Sequence, residues 1–323
     1  MMRNIAQAAL AAVVLFSFAA TQAQDYPTRP IRLINPLGTG GTAEALSRAL
    51  ANTLSDGLGQ PVVLETKTGA TGTIGAGYVA KSPPDGYTLL YGVTGTNSIA
   101  PSVYRNLPYD SDKDLAPISI AFSGPNVIIV NTSLNVNSVP ELIALAKSRP
   151  GTINFASAGN GSMSHLNAER FKAVTGIDIL HVPYKGGGAA VPDLLGGRVQ
   201  MMIETGGGVM PLIRSGKVRP LAVTTPKRFP SLPEVPTVVE LGLPELVSVV
   251  WGGIFAPAGT PRPILNRIAE ACARAARDPA YRELLASMNN EAVSSTPDEF
   301  KVFVKSEIDR YGELVRRLGI SIN

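Results

Sequence analysis

The 323-residue chain has one cysteine, two histidines and one tryptophan, and each scarcity removes a class of function. A single cysteine, Cys272, permits no intrachain disulfide and no cysteine-based metal site. It lies in ILNRIAEACARAARD, where the apolar spacing is helical, so it reads as a small buried hydrophobe. His165 and His181 lack HExxH-type spacing, and no metal or other cofactor is expected. GxxxxGK[ST] and GxSxG are absent, and neither glycine-rich turn completes GxGxxG, which argues against a nucleotide site and an α/β-hydrolase. Ser162 and His165 can share a helix face, but an N-cap and a helix-face histidine explain them without a triad. Charge is also sparse, at 17% of residues with a net +4, and both signs are scattered. Nucleic acid is therefore not an expected partner.

Long apolar runs are missing except at 5–20, after Arg3 and before Thr21-Gln22-Ala23. That pattern predicts a secretory signal over 1–23, cleaved near Ala23, and an exported soluble protein. No cysteine follows the run, so lipid anchoring is not expected. The remaining 24–323 is long enough for two domains.

What the chain has in quantity is glycine (32) and proline (26). The stretch at 153–166, INFASAGNGSMSHL, reads as a strand, a sharp turn of small residues and a helix capped by Ser162. Such a turn aims unpaired N–H groups and a positive helix end outward, which suits an anion. A similar strand, turn and helix occur at 31–48 (IRLINPLGTGGTAEALSR), so two turns are expected to face each other across a cleft.

Strands alternate with helices along the chain, which predicts doubly wound α/β architecture with ligand at the carboxyl ends of the strands. Residues 117–131 read as one extended stretch crossing between domains, interrupted by Gly124-Pro125. The stretch 247–256 (VSVVWGGIFA) reads as the return. Domain 1 is then 24–124 with 247–323, and domain 2 is 125–246. Ser138 with Glu141, Asp278 before Pro279, and Thr296 with Glu299 mark helix starts. The strand end at 92–97 is again small and polar, and a glycine run at 206–208 follows the strand at 199–204. Trp251 reads as core or hinge packing and His181 as a core residue.

SAGNGSMSHL at 157–166, HVPYKGGGAAVPDLLGG at 181–197, SPPDGYTLL at 82–90, LPYDSDKDLAPI at 107–118 and FAPAGTP at 255–261 resemble the Bug family. These are periplasmic solute-binding receptors of tripartite tricarboxylate transporters, and the resemblance runs from Tyr26 to the C-terminus. It implies a two-domain periplasmic-binding-protein fold of the Venus-flytrap type II class. It further implies no catalysis, a soluble periplasmic monomer, and capture of a small carboxylate (dicarboxylate, aromatic carboxylate or amino acid) between the domains. The implied partners are membrane transporter subunits; a sensor ectodomain would share the same features, and an exported hydrolase is the enzyme alternative. By position, the ligand loops are Leu37, Gly38, Thr39, Gly40, Gly41, Thr42 and Glu44; then Thr94, Gly95, Thr96 and Asn97. The second-domain loop is Ser157, Ala158, Gly159, Asn160, Gly161, Ser162 and His165, with Tyr184 and Glu204 at its sides. Thr39 and Glu44 replace the proline and aspartate usual in the first loop, and Thr66-Lys67-Thr68-Gly69 departs from the usual Asn-Arg-Pro-Gly. If Glu44 and Glu204 both face the cleft ionised, they repel a dianion.

Overall fold

The computed structural model describes residues 26–38 and 42–320, so the signal segment and Thr39, Gly40 and Gly41 lie outside the described residues. The first half begins with β1 (Ile31–Asn35), α1 (Thr42–Leu58), β2 (Val62–Thr66), α2 (Thr73–Ala80) and β3 (Thr88–Val93). β1 lies between β2 and β3, parallel to both. After β3 the chain turns directly into helix, a π-type turn at Gly95–Ile99 followed by α3 (Ala100–Val103), where a loop was expected.

β4 (Leu115–Asn131) is a single strand of 17 residues, and Gly124-Pro125 does not break it. Its first part pairs antiparallel with β9 (Val249–Pro257), and its second part pairs with β7 (Met201–Thr205) and β8 (Val218–Val223). Burial along β4 changes accordingly, from interrupted up to Ser123 to continuous from Gly124 onward, because both of its faces are covered in the second half. Between β4 and β8 come α4 (Val139–Ser148), β5 (Asn154–Ser157), α5 (Met163–Thr175), β6 (Leu180–Pro183), α6 (Gly187–Leu195), β7 and α7 (Gly206–Arg214). β5 is parallel to β6 and β7, so this half repeats the first: three parallel strands completed by antiparallel ones. The chain ends with α8 (Arg262–Ala275), α9 (Pro279–Ser287), the short β10 (Glu291–Ala292) against β4, and α10 (Pro297–Leu318).

The helix starts follow side-chain caps. Ser138, Ser162, Asp278 and Thr296 each accept from the third residue onward, and Thr296 with Glu299 completes a capping box. α7 departs from expectation. Its first turn is Gly206-Gly207-Gly208, a composition that disfavours helix by about 1 kcal/mol per glycine relative to alanine. Tertiary space explains the choice, because a Cβ on Gly207 would meet the Met288 carbonyl oxygen at 3.0 Å and one on Gly206 would meet Pro125 at 2.9 Å.

Each half has a core on both faces of its sheet. Leu46, Leu50, Leu54, Ile268 and Cys272 fill one face of the first half, and Trp251, Phe255, Phe300 and Val304 fill the other. A smaller cluster joins the halves: Leu166 of α5 packs with Tyr311, Leu314 and Val315 of α10 and with Ile99 and Val103. Arg310 of α10 also donates to the Val247 carbonyl at the return crossing, at 2.7 Å. Among the described residues, no helix is long and apolar enough to cross a membrane.

Candidate functional site

Two adjoining cavities lie between the halves, where the carboxyl ends of β1, β3, β5 and β7 meet. The smaller, ≈ 210 Å³, is lined by Thr71, Ile99, Val103 and Tyr104 on one side and by Ala158, Asn160, Gly161 and Ser162 on the other. The larger, ≈ 350 Å³, is lined chiefly by Leu37, Leu46, Val93, Phe122, Val250 and Trp251, with Met163, Thr205, Gly207 and Gly208 opposite. Thr71, Gly95 and Met163 belong to both.

The turn before α5 is held by its own groups. Gly159 (φ 126°) and Gly161 (φ 72°) take the left-handed conformations the turn requires. Ala158 N–H donates to Ser164 Oγ at 2.9 Å, Gly159 N–H to Ser157 Oγ at 3.1 Å, Gly161 N–H to His165 Nδ1 at 3.1 Å and Ser162 N–H to the Gly159 carbonyl at 3.1 Å. These amides are therefore engaged within the turn. Asn160 lines the smaller cavity, and so does Met163 in the first turn of α5, where helix amides lack intrahelical acceptors.

Beneath the turn, the His165 and His181 rings stack at 3.9 Å, with Phe155 on His181 at 4.8 Å. His181 Nε2 lies 2.6 Å from Ser157 Oγ. Burial, and then the neighbouring His165, lowers His181 to about 4; burial and Lys172 lower His165. Both rings are thus neutral at pH 7. His165 accepts at Nδ1, which puts its proton on Nε2. Ser157 and His181 are at nucleophile–base distance, yet Ser157 is fully buried and lines neither cavity.

On the opposite side, Ala70 (φ 46°) and Thr71 (φ 56°) hold left-handed backbone that non-glycine residues rarely adopt, each at a cost of about 1 kcal/mol or more. The arrangement is braced: Thr71 Oγ1 lies 2.8 Å from Tyr104 Oη, and the Thr71 carbonyl accepts from Thr96 Oγ1 at 3.1 Å. Thr94 Oγ1 accepts from Trp251 N–H at 3.0 Å and donates to the Trp251 carbonyl at 3.2 Å.

Of the residues expected in the ligand loops, Leu37, Thr94, Gly95, Thr96, Ala158, Asn160, Gly161 and Ser162 line these cavities. Ser157, Gly159 and His165 stand behind them as supports. Asn97 is fully buried, and Gly38 is exposed. Tyr184 is turned away, with its hydroxyl on Asp193 at 2.6 Å. Glu44 pairs with Arg48 one turn along α1 and lines neither cavity. The Glu204 carboxyl also departs from the expected cleft wall. Its Oε1 accepts from Thr205 N–H at 2.8 Å, while its Oε2 is sealed without a partner. A Cβ on Gly187 would meet that Oε2 at 2.6 Å. Burial raises this carboxyl above the usual carboxylate range despite the hydrogen bonds from Thr205 and Ser164. Thr39, Gly40 and Gly41, and the side chain of Thr42, lie outside the described residues. Thr71, Tyr104, Phe122, Met163, Val250 and Asn290 line the site without having been singled out from sequence, and Trp251, expected only as packing, also lines it. Thr71 lies in a glycine-rich stretch, 68–77 (TGATGTIGAG), the kind of local signal that could have pointed there.

The sequence profile of the tripartite tricarboxylate transporter family receptor matches residues 46–320. Protein BugT of Bordetella pertussis is 40% identical over 305 residues, covering 94% of each chain. Among solved structures, an R. palustris protein with adipate is 37% identical, with a TM-score of 0.79, covering 92% of this chain and 99% of its own. MatC from Rhodopseudomonas palustris, with bound malate, is 30% identical with a TM-score of 0.75, covering 90% and 100%. With this agreement of sequence and two-domain type II fold, the chain belongs to the Bug family of tripartite tricarboxylate transporter receptors.

Proposed function

We propose that this receptor captures a small carboxylate in the cleft between 24–124 with 247–323 and 125–246, in the periplasm, and closes on it for delivery to its transporter. The observation that carries this reading is the smaller cavity, where Asn160 and the first turn of α5 lie across from Tyr104 and Thr71. A carboxylate there takes amide hydrogen bonds from one half and hydroxyl contacts from the other. A hydrogen bond to a charged group contributes about 1.5–3 kcal/mol net, and micromolar affinity needs about 8 kcal/mol. A few such bonds divided between the halves favour the closed form only when ligand bridges them. The adipate and malate bound by the two R. palustris relatives support the ligand class.

Binding without catalysis fits the buried Ser157–His181 pair, which has no access to either cavity. The signal over 1–23 and the monomeric state belong to the same reading. A thermal-shift and calorimetric screen of mono-, di- and aromatic carboxylates tests it. A ligand at 100 times its Kd adds about 2.7 kcal/mol. Absence of any carboxylate-dependent stabilisation, or turnover of ester substrates, rejects the proposal.

A further inference from the structure

Resting on the receptor reading above, we infer that the ligand is a monocarboxylate whose body is uncharged and apolar, a ring or short alkyl chain seated against Phe122, Val93 and Val250. The two cavities differ in a way that assigns them to different parts of one molecule. The smaller has Asn160 and the first turn of α5 on its wall. None of the described residues lining the larger carries a charge.

The polar groups at the larger cavity are already engaged. Thr94 holds the Trp251 backbone, and Thr96 Oγ1 donates to the Thr71 carbonyl. Asn290 Nδ2 donates to the Met288 carbonyl at 3.0 Å, and Thr205 N–H to Glu204. Gly207 and Gly208 bring the first turn of α7 to the wall, yet a carboxyl, that of Glu204, already accepts from Thr205 N–H at the cap of that turn. A second ligand carboxylate would be desolvated there, with no cation to meet it and an acid beside it. An apolar body has the opposite balance, because it removes both its own surface and that of Phe122, Val93 and Val250 from water. Size agrees: an engineered apolar cavity of about 150 Å³ holds benzene, and this one is ≈ 350 Å³.

The test compares matched probes on the purified chain by calorimetry: hexanoate and 4-methylbenzoate, adipate, and the neutral amides of the two monocarboxylates. The expected result is that the tighter monocarboxylate binds at least tenfold more tightly than adipate. Leu37→Arg, a substitution at a half-buried loop position on the cavity wall, is expected to bring adipate up to or past the monocarboxylates. Adipate binding as tightly as either monocarboxylate in the unaltered chain overturns the inference and leaves the receptor reading intact. Binding of neither monocarboxylate at millimolar concentration also overturns it. Amides binding as tightly as the acids would instead reject the carboxylate reading and retain the apolar body.

Discussion

Thr94→Val separates a structural hydroxyl from a ligand-binding one. β3 pairs with β9 from Leu90 opposite Phe255 to Val93 opposite Gly252, and the next rung would join Thr94 to Trp251. The backbone has already turned helical at Thr94 (φ −45°, ψ −48°), so the side-chain hydroxyl takes the place of the missing backbone rung. Valine matches the shape of threonine but can neither accept nor donate. It leaves the Trp251 N–H and carbonyl without their partner beside a residue that is 1% exposed. Leaving a buried polar group unsatisfied costs about 1–3 kcal/mol, so the pair should cost about 2–4 kcal/mol. For a chain of this size, that lowers Tm by roughly 3–6 °C. Urea unfolding followed by Trp251 emission measures the change, with Thr94→Ser as the control that keeps the hydroxyl. The reasoning fails if Thr94→Val unfolds within about 0.5 kcal/mol of the unaltered chain, particularly if carboxylate affinity collapses instead.

Three further outcomes are expected. Asn160→Asp places a negative charge beside the first turn of α5. At about 6 Å and an effective dielectric of about 40 it costs about 1.4 kcal/mol, a tenfold weaker Kd by calorimetry, and unchanged affinity would remove that turn from the site. His181 has a folded pKa of about 4, below its ordinary value of 6.5, so the unfolded chain takes up its proton first. Its contribution is present above pH 6.5 and is lost as pH falls toward 4. Because the ring is partly exposed, the loss should be well below the full linkage value, and His181→Gln should flatten urea midpoints across that window; equal pH dependence in both proteins would refute this. Tyr184→Phe removes only the bond to Asp193 and should leave carboxylate affinity within about twofold, whereas a large loss would return Tyr184 to the cleft.

Much of the frame was legible in local signals. Ser138, Ser162, Asp278 and Thr296 announce helices because a cap is chemistry between residues three apart. β4 and β9 were readable as strands because long extended apolar runs have few other uses. The helical turns at Gly95–Ile99 and Gly206–Arg214 were hidden because glycine and small polar residues carry no helical signal; contacts with distant segments such as Met288 select them. The site was legible as loops and obscure as side chains. Whether Thr94, Tyr184 or Glu204 faces a ligand depends on Trp251, Asp193 and Gly187, and no spacing along the chain discloses those pairings. Phe122 and Val250 looked like ordinary strand residues and become cavity walls only when the two halves meet.

The position of β9 between β3 and β4 has a consequence for how the molecule is made. β3 ends at Val93, and the strand that must lie beside it begins only at Val249. Until that strand arrives, β3 and the first part of β4 present open edges, which are sites for unwanted pairing between chains. The contiguous segment from β5 to β8 can assemble in the meantime around the second part of β4. Closing the first sheet late, with partners far apart in sequence, predicts slow completion and a period in which the nascent receptor depends on holding factors.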